Sequence, residues 1–159
     1  MLAAPAITSY ASSLAGTAVT VACNRDQSFD RGTLGYTLYD ANGVVYPVIY
    51  LPASTCHRLN ELAAPARLRV VGARSGRALA SVAPTAIDLS DGAAVDTLIH
   101  EATHIREQST DEARVECDSY RNRWSAVKLF RLSAKRSRSV LRGMTASHRA
   151  SPASYLRTC

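Results

Sequence analysis

Residues 100 to 104 read His-Glu-Ala-Thr-His, and an acidic pair, Glu112 and Glu116, follows closely. On an α-helix, residues four apart share one face, so His100 and His104 can turn imidazole nitrogens towards a single ion at about 2.0–2.1 Å. Glu101 lies about 100° further round the helix. From there its carboxylate reaches a water in the ion's open position more readily than the ion itself. Zinc acidifies such a water and polarises a carbonyl, while a neighbouring Glu takes the proton as general base and delivers it to the leaving amine. The spacing therefore predicts Zn2+ as cofactor, Glu101 as catalytic base and a peptide bond as substrate.

A catalytic zinc takes three protein ligands and keeps a place for water, so a third ligand is required. Glu112 and Glu116 open a second helical pattern in which Val115, Tyr120, Trp124, Val127 and Leu132 supply the apolar positions. The link Glu107-Gln108-Ser109-Thr110 is short and polar, which predicts a turn between antiparallel helices. Such a hairpin would bring the first turn of the second helix back against His104, where either carboxylate reaches the ion.

With these residues in place the chain resembles the gluzincin metallopeptidases in a minimal form, and looks like small metallopeptidase-like proteins of phage and actinobacterial type. The resemblance rests on residues 96 to 120. In gluzincins a downstream helix supplies a Glu ligand in an ExxxD-like pattern whose last acid orients a ligand His. The resemblance thus implies His100, His104 and Glu112 as ligands and Glu116 as the acid behind them. Here the pattern is ExxxE. Ser109-Thr110-Asp111-Glu112 is also a capping box, in which Glu112 would fold onto the Ser109 amide and leave Glu116 as the ligand. The group also carries a Tyr or His that stabilises the oxyanion. Tyr120, on the helix face of Glu112 and Glu116, is the candidate, with His148 and Tyr155 further on; Tyr120 equally suits an amphipathic core position. The group further implies an edge strand that pairs with extended substrate. Val48 to Leu51 is the segment chosen for it.

The elements that must hold these residues are legible in the periodicity. Val95, Leu98, Ile99, Ala102 and Ile105 form an apolar stripe at helical spacing, with Ser90-Asp91-Gly92 as the helix start. Upstream, residues 1 to 15 suggest a lead-in helix, Thr17 to Cys23 a strand, and Ser54 to Leu62 a short helix in which His57 is a surface residue. Thr33 to Tyr39 and Val44 to Leu51 read as strands around the turn Asp40-Ala41-Asn42-Gly43, and Pro47 marks the second as an edge strand. Leu68 to Val71 is a further candidate strand. The expectation is an α+β, zincin-like domain over 1–132, with a short antiparallel sheet and the His-Glu helix packed on the second ligand-bearing helix. Residues 133–159 read as a basic, flexible tail.

The 159 residues carry a net charge of +6, divided very unevenly. Nine Lys and Arg stand against all thirteen acids up to Tyr120, whereas Arg121 to Cys159 holds ten basic residues and no acid. The block 121–142 could attract nucleic-acid phosphates or an anionic membrane. The plainer reading is a solvated helix end and tail. Cys23, Cys56, Cys117 and Cys159 are too widely spaced for a zinc ribbon; they are free buried thiols or disulfides, for which a Cys56–Cys117 bridge would brace the site. No run is long enough to span a membrane, and the N-terminus makes a poor signal peptide, which favours a cytoplasmic setting. Two readings compete with the peptidase: a zinc-binding domain without turnover, and a nucleic-acid-binding protein led by its basic end.

Overall fold

The computed structural model describes residues 2–24, 34–64 and 84–156, with the backbone alone for 84–90. The candidate strand at Leu68 to Val71 lies outside the described residues. Among the described residues eight elements follow in order: α1 (Pro5–Ala15), β1 (Thr20–Asn24), β2 (Tyr36–Tyr39), β3 (Val45–Pro52), α2 (Ala53–Ala63), α3 (Pro84–Glu107), α4 (Glu112–Leu129) and α5 (Ala134–Ala150). The result is an α+β fold in which α3 is the axis: α1, α2, α4, α5, β2 and β3 all pack against it. Val95, Leu98 and Ile99 on α3 are almost wholly buried, each contributing roughly 1.5–3 kcal/mol on leaving water.

Helix α3 begins at Pro84 and not at Ser90 to Gly92. Proline at the first helical position lacks only an N–H that would have no intrahelical partner, so it opens a helix as readily as it ends one. Asp91 and Gly92 consequently lie within the helix. Asp91 is buried and accepts from Arg136 of α5. Gly92 marks the closest approach of the two helices, since a Cβ there would stand 2.5 Å from the Gly143 backbone.

That contact corrects the expected tail. Residues 134–150 are a helix whose Val140, Leu141 and Met144 join the main core, while Arg138, Arg142 and Arg149 face solvent. Ser133 caps it by accepting from the Arg136 amide. The basic composition that suggested a tail is the outer half of an amphipathic helix.

The sheet is mixed, in the order β1-β3-β2, with β3 parallel to β1 and antiparallel to β2. The expected edge strand Val48 to Leu51 is therefore the central one. Pro47 is tolerated because β1 pairs only from Val48 onward and the β2 register is irregular between Thr37 and Tyr39. The hairpin turn is as expected: Asp40 accepts from the Asn42 and Val44 amides, and Gly43 takes a φ of 80°. The outer side of β1 is touched by the Leu2–Ala22 bridge, whereas β2 has no ladder partner on its outer side among the described residues.

Cys56 bonds to Cys23, not to Cys117, and so ties α2 to β1. Closing a loop of 33 residues removes about 3–4 kcal/mol of chain entropy from the unfolded state. Cys117 is disulfide-bonded as well, and there are no free thiols among the described residues. Such bridges persist in oxidising surroundings, which sits against the cytoplasmic setting suggested by the N-terminus. No described helix is long and apolar enough to cross a membrane.

Candidate metal centre

Helix α3 buries polar groups that an ordinary core helix would not: Asp96, Glu101 and His104 are all buried on it. Each such burial is costly unless a partner is supplied. The turn after α3 supplies the first one. Gln108 takes a left-handed φ of 47°, and its side-chain amide bonds both the N–H and the C=O of Val45. The chain thereby reverses in four residues, and the Ser109 carbonyl accepts from His104 Nδ1 at 2.7 Å.

Asp111 then caps α4 by accepting from the Ala113 and Arg114 amides. The capping-box alternative fails on this point. Asp111 does the work assigned to the Ser109–Glu112 pair, and Glu112 in the first turn points at the histidines. Its Oε2 lies 3.0 Å from His100 Nε2 and 3.4 Å from His104 Nε2, and the two Nε2 atoms are 3.1 Å apart. Ligands held about 2.05 Å from a tetrahedral ion stand about 3.3 Å from one another, so this triangle has the edges of a coordination face. His100, His104 and Glu112 could therefore hold a metal ion.

Glu116 occupies the position behind the face. One carboxylate oxygen lies 3.0 Å from His100 Nδ1, and the other takes 2.6 Å and 3.2 Å contacts from His148 Nδ1 and Ser151 Oγ. With His104 tied to Ser109 and His100 to Glu116, both rings are presented by Nε2, the arrangement that fixes the tautomer of a ligating histidine. Sequence reasoning did not anticipate that His148 of α5 anchors Glu116. No local spacing signals a contact across so many residues.

The charges are strongly coupled. Burial alone would lower the His100 pKa, but Glu112 and Glu116 on its two nitrogens hold it at about 10. Burial likewise opposes the His104 cation, and Glu112 and the Ser109 carbonyl raise it overall. Glu112 is drawn down to about 2 by its bonds to His100 and His104. Glu116 is lowered too, its burial outweighed by His100 and His148. Glu101 goes the other way: burial raises its pKa although both histidines lower it, and its carboxyl is hydrogen-bonded to Thr37. Asp96, hydrogen-bonded to Ser147, is raised to about 6, chiefly by burial.

These groups open onto solvent. A cavity of about 350 Å³ is lined by His100, Glu101, His104 and Glu112 on one side and by Tyr36, Thr37 and Tyr39 of β2 on the other. A smaller arm of about 180 Å³ continues past Glu101 towards Asp96 and Glu116. Tyr155 borders both. Tyr120, the candidate oxyanion residue, borders neither of them. It stacks on His148 with ring centroids 4.0 Å apart and so buttresses the group behind the candidate ligands. His57 is on the surface beside Glu61, as expected. Compared with protein-family models, curated proteins and solved structures, the chain matches none.

Proposed function

We propose that the chain is a zinc-dependent peptide hydrolase, with His100, His104 and Glu112 holding Zn2+ and Glu101 acting as general base. The observation that carries this reading is the convergence of three ligand atoms at coordination-edge distances beside a fourth, buried carboxyl that is not among them. A purely structural site is closed by a fourth protein ligand and has no use for that extra acid. The chemistry supplied by the bound ion is polarisation of a carbonyl and acidification of water. The nitrogen and oxygen donors suit zinc.

The remaining steps belong to the chain's own side chains. Glu101, with its pKa raised by burial and its carboxyl steadied by Thr37, accepts the proton of the attacking water and passes it to the departing amine. Glu116 and Ser109 hold the ligand rings so that no reorientation is needed during the reaction. The edge role assigned to Val48 to Leu51 passes to β2. It stands at one edge of the described sheet and its side chains line the cleft, so an extended peptide can add there as a strand beside Glu101. Main-chain pairing of this kind binds peptides with little sequence preference.

Metal analysis and cleavage of casein or a peptide library by the Glu101→Gln variant test the proposal. The variant is expected to keep stoichiometric zinc and lose cleavage. Zinc-loaded wild-type protein that cleaves nothing would reduce the site to a metal-binding role without turnover.

A further inference from the structure

Two groups stand out among the arginines of the described residues. Arg58, Arg106, Arg114, Arg121 and Arg136 are ion-paired with acids. Arg123, Arg138, Arg142 and Arg149 have no acidic partner among the described residues, and these four line a single groove between α4 and α5. Trp124 and Leu141 line it as well, and its volume is about 810 Å³. Like charges gathered in this way repel one another, so the arrangement is at its lowest energy with an anion present.

The face is distinct from the metal centre. Ser147 and His148 turn from α5 towards the cleft, whereas Arg138, Arg142 and Arg149 turn outward. Along α5 these three arginines span about 16 Å at the helical rise, which calls for an extended polyanion and not a single small anion. Arg123 is already oriented, its guanidinium 3.8 Å from the centroid of the Tyr120 ring. Trp124 is 53% exposed and presents an aromatic face among the guanidiniums. Carboxylates of an acidic peptide would use the charges alone. Nucleotides use both, through phosphates on arginine and bases stacked on the indole.

We infer that this groove between α4 and α5 binds single-stranded nucleic acid, with Arg138, Arg142 and Arg149 on the phosphates and Trp124 stacked on a base. The inference is independent of the peptidase reading. Trp124 is the only tryptophan in the chain, so its fluorescence reports this groove and no other.

The test is titration of the full chain with an oligothymidylate of about ten nucleotides. Quenching of Trp124 is expected, with a log–log salt slope near −2 for about three phosphates on a single strand. Chelator should leave binding unchanged. Arg138→Glu with Arg142→Glu, both exposed positions, is expected to weaken binding at least tenfold and flatten the slope while zinc content and thermal melting stay as in wild type. Trp124→Ala, followed by anisotropy of a labelled oligonucleotide, is expected to weaken binding by roughly five- to a hundredfold. Absence of quenching at low salt, or unaltered affinity in the charge-reversed variant, would overturn the inference. So would poly-L-glutamate binding as tightly as the oligonucleotide, which would make the groove a site for acidic peptide.

Discussion

Alanine at Glu112 and alanine at Glu116 should separate a ligand from the residue that orients one. Glu112 Oε2 faces both Nε2 atoms, so Glu112→Ala removes one corner of the coordination face. Structural zinc sites are worth about 10–16 kcal/mol over four ligands, or about 3–4 kcal/mol each, so a few hundredfold in Kd is expected. Of the two histidines of that face Glu116 touches only His100, at the far nitrogen, 3.0 Å away. Removing a partner at that remove weakens metal binding by about 10–100-fold. Glu116→Ala also strands His148 and Ser151, so metal-free stability should fall by about 1–3 kcal/mol, a loss that Glu116→Gln partly restores by keeping an acceptor. Zinc affinity by competition with a chromophoric chelator, with thermal melting of the metal-free protein alongside, gives both quantities. Wild-type affinity in Glu112→Ala combined with loss of zinc in Glu116→Ala would refute the assignment.

Two other outcomes follow from the same geometry. In metal-free protein, the His100 pKa near 10 is raised above its ordinary value of 6.5, so its contribution is complete below pH 6.5 and is lost as pH rises through about 10; the Glu112 pKa near 2 is lowered from 4.5, so its contribution is complete above pH 4.5 and is lost as pH falls through about 2. The melting temperature without metal should therefore peak between about pH 4.5 and 6.5, while zinc affinity climbs with pH as the His100 proton is released, and a flat affinity profile from pH 6 to 9 would contradict this. Gly92→Ala places a methyl against the Gly143 backbone and should cost about 1–3 kcal/mol, or roughly 2–12 °C in Tm by calorimetry; an unchanged Tm would mean that α3 and α5 do not meet as described.

The His-Glu helix, its antiparallel partner and the hairpin at Gly43 were legible because each rests on local rules: helical spacing of apolar residues, a short polar link, and a turn that needs positive φ. The same locality explains the misreadings. A proline such as Pro84 opens or closes a helix depending on what packs on either side, and Arg/Ser-rich sequence after Leu132 is a tail only where no core receives Val140 and Met144. Strand order is a property of the assembled sheet, so neither the central place of β3 nor the outer place of β2 in the described sheet could be read from Pro47.

The candidate ligand residues divide along the same line. The amino-acid order alone determined that His100 and His104 share a helix face with Glu101 beside them, because helical geometry leaves residues four apart no other arrangement. Only the tertiary structure set Glu112, and not Glu116, in the triangle with His100 and His104 Nε2, brought His148 to the carboxylate behind His100, and gathered into one groove four arginines without an acidic partner among the described residues. Those are contacts between different helices. They depend on where the turn at Gln108 and the meeting of Gly92 with Gly143 set the helix axes, which no spacing within one segment encodes.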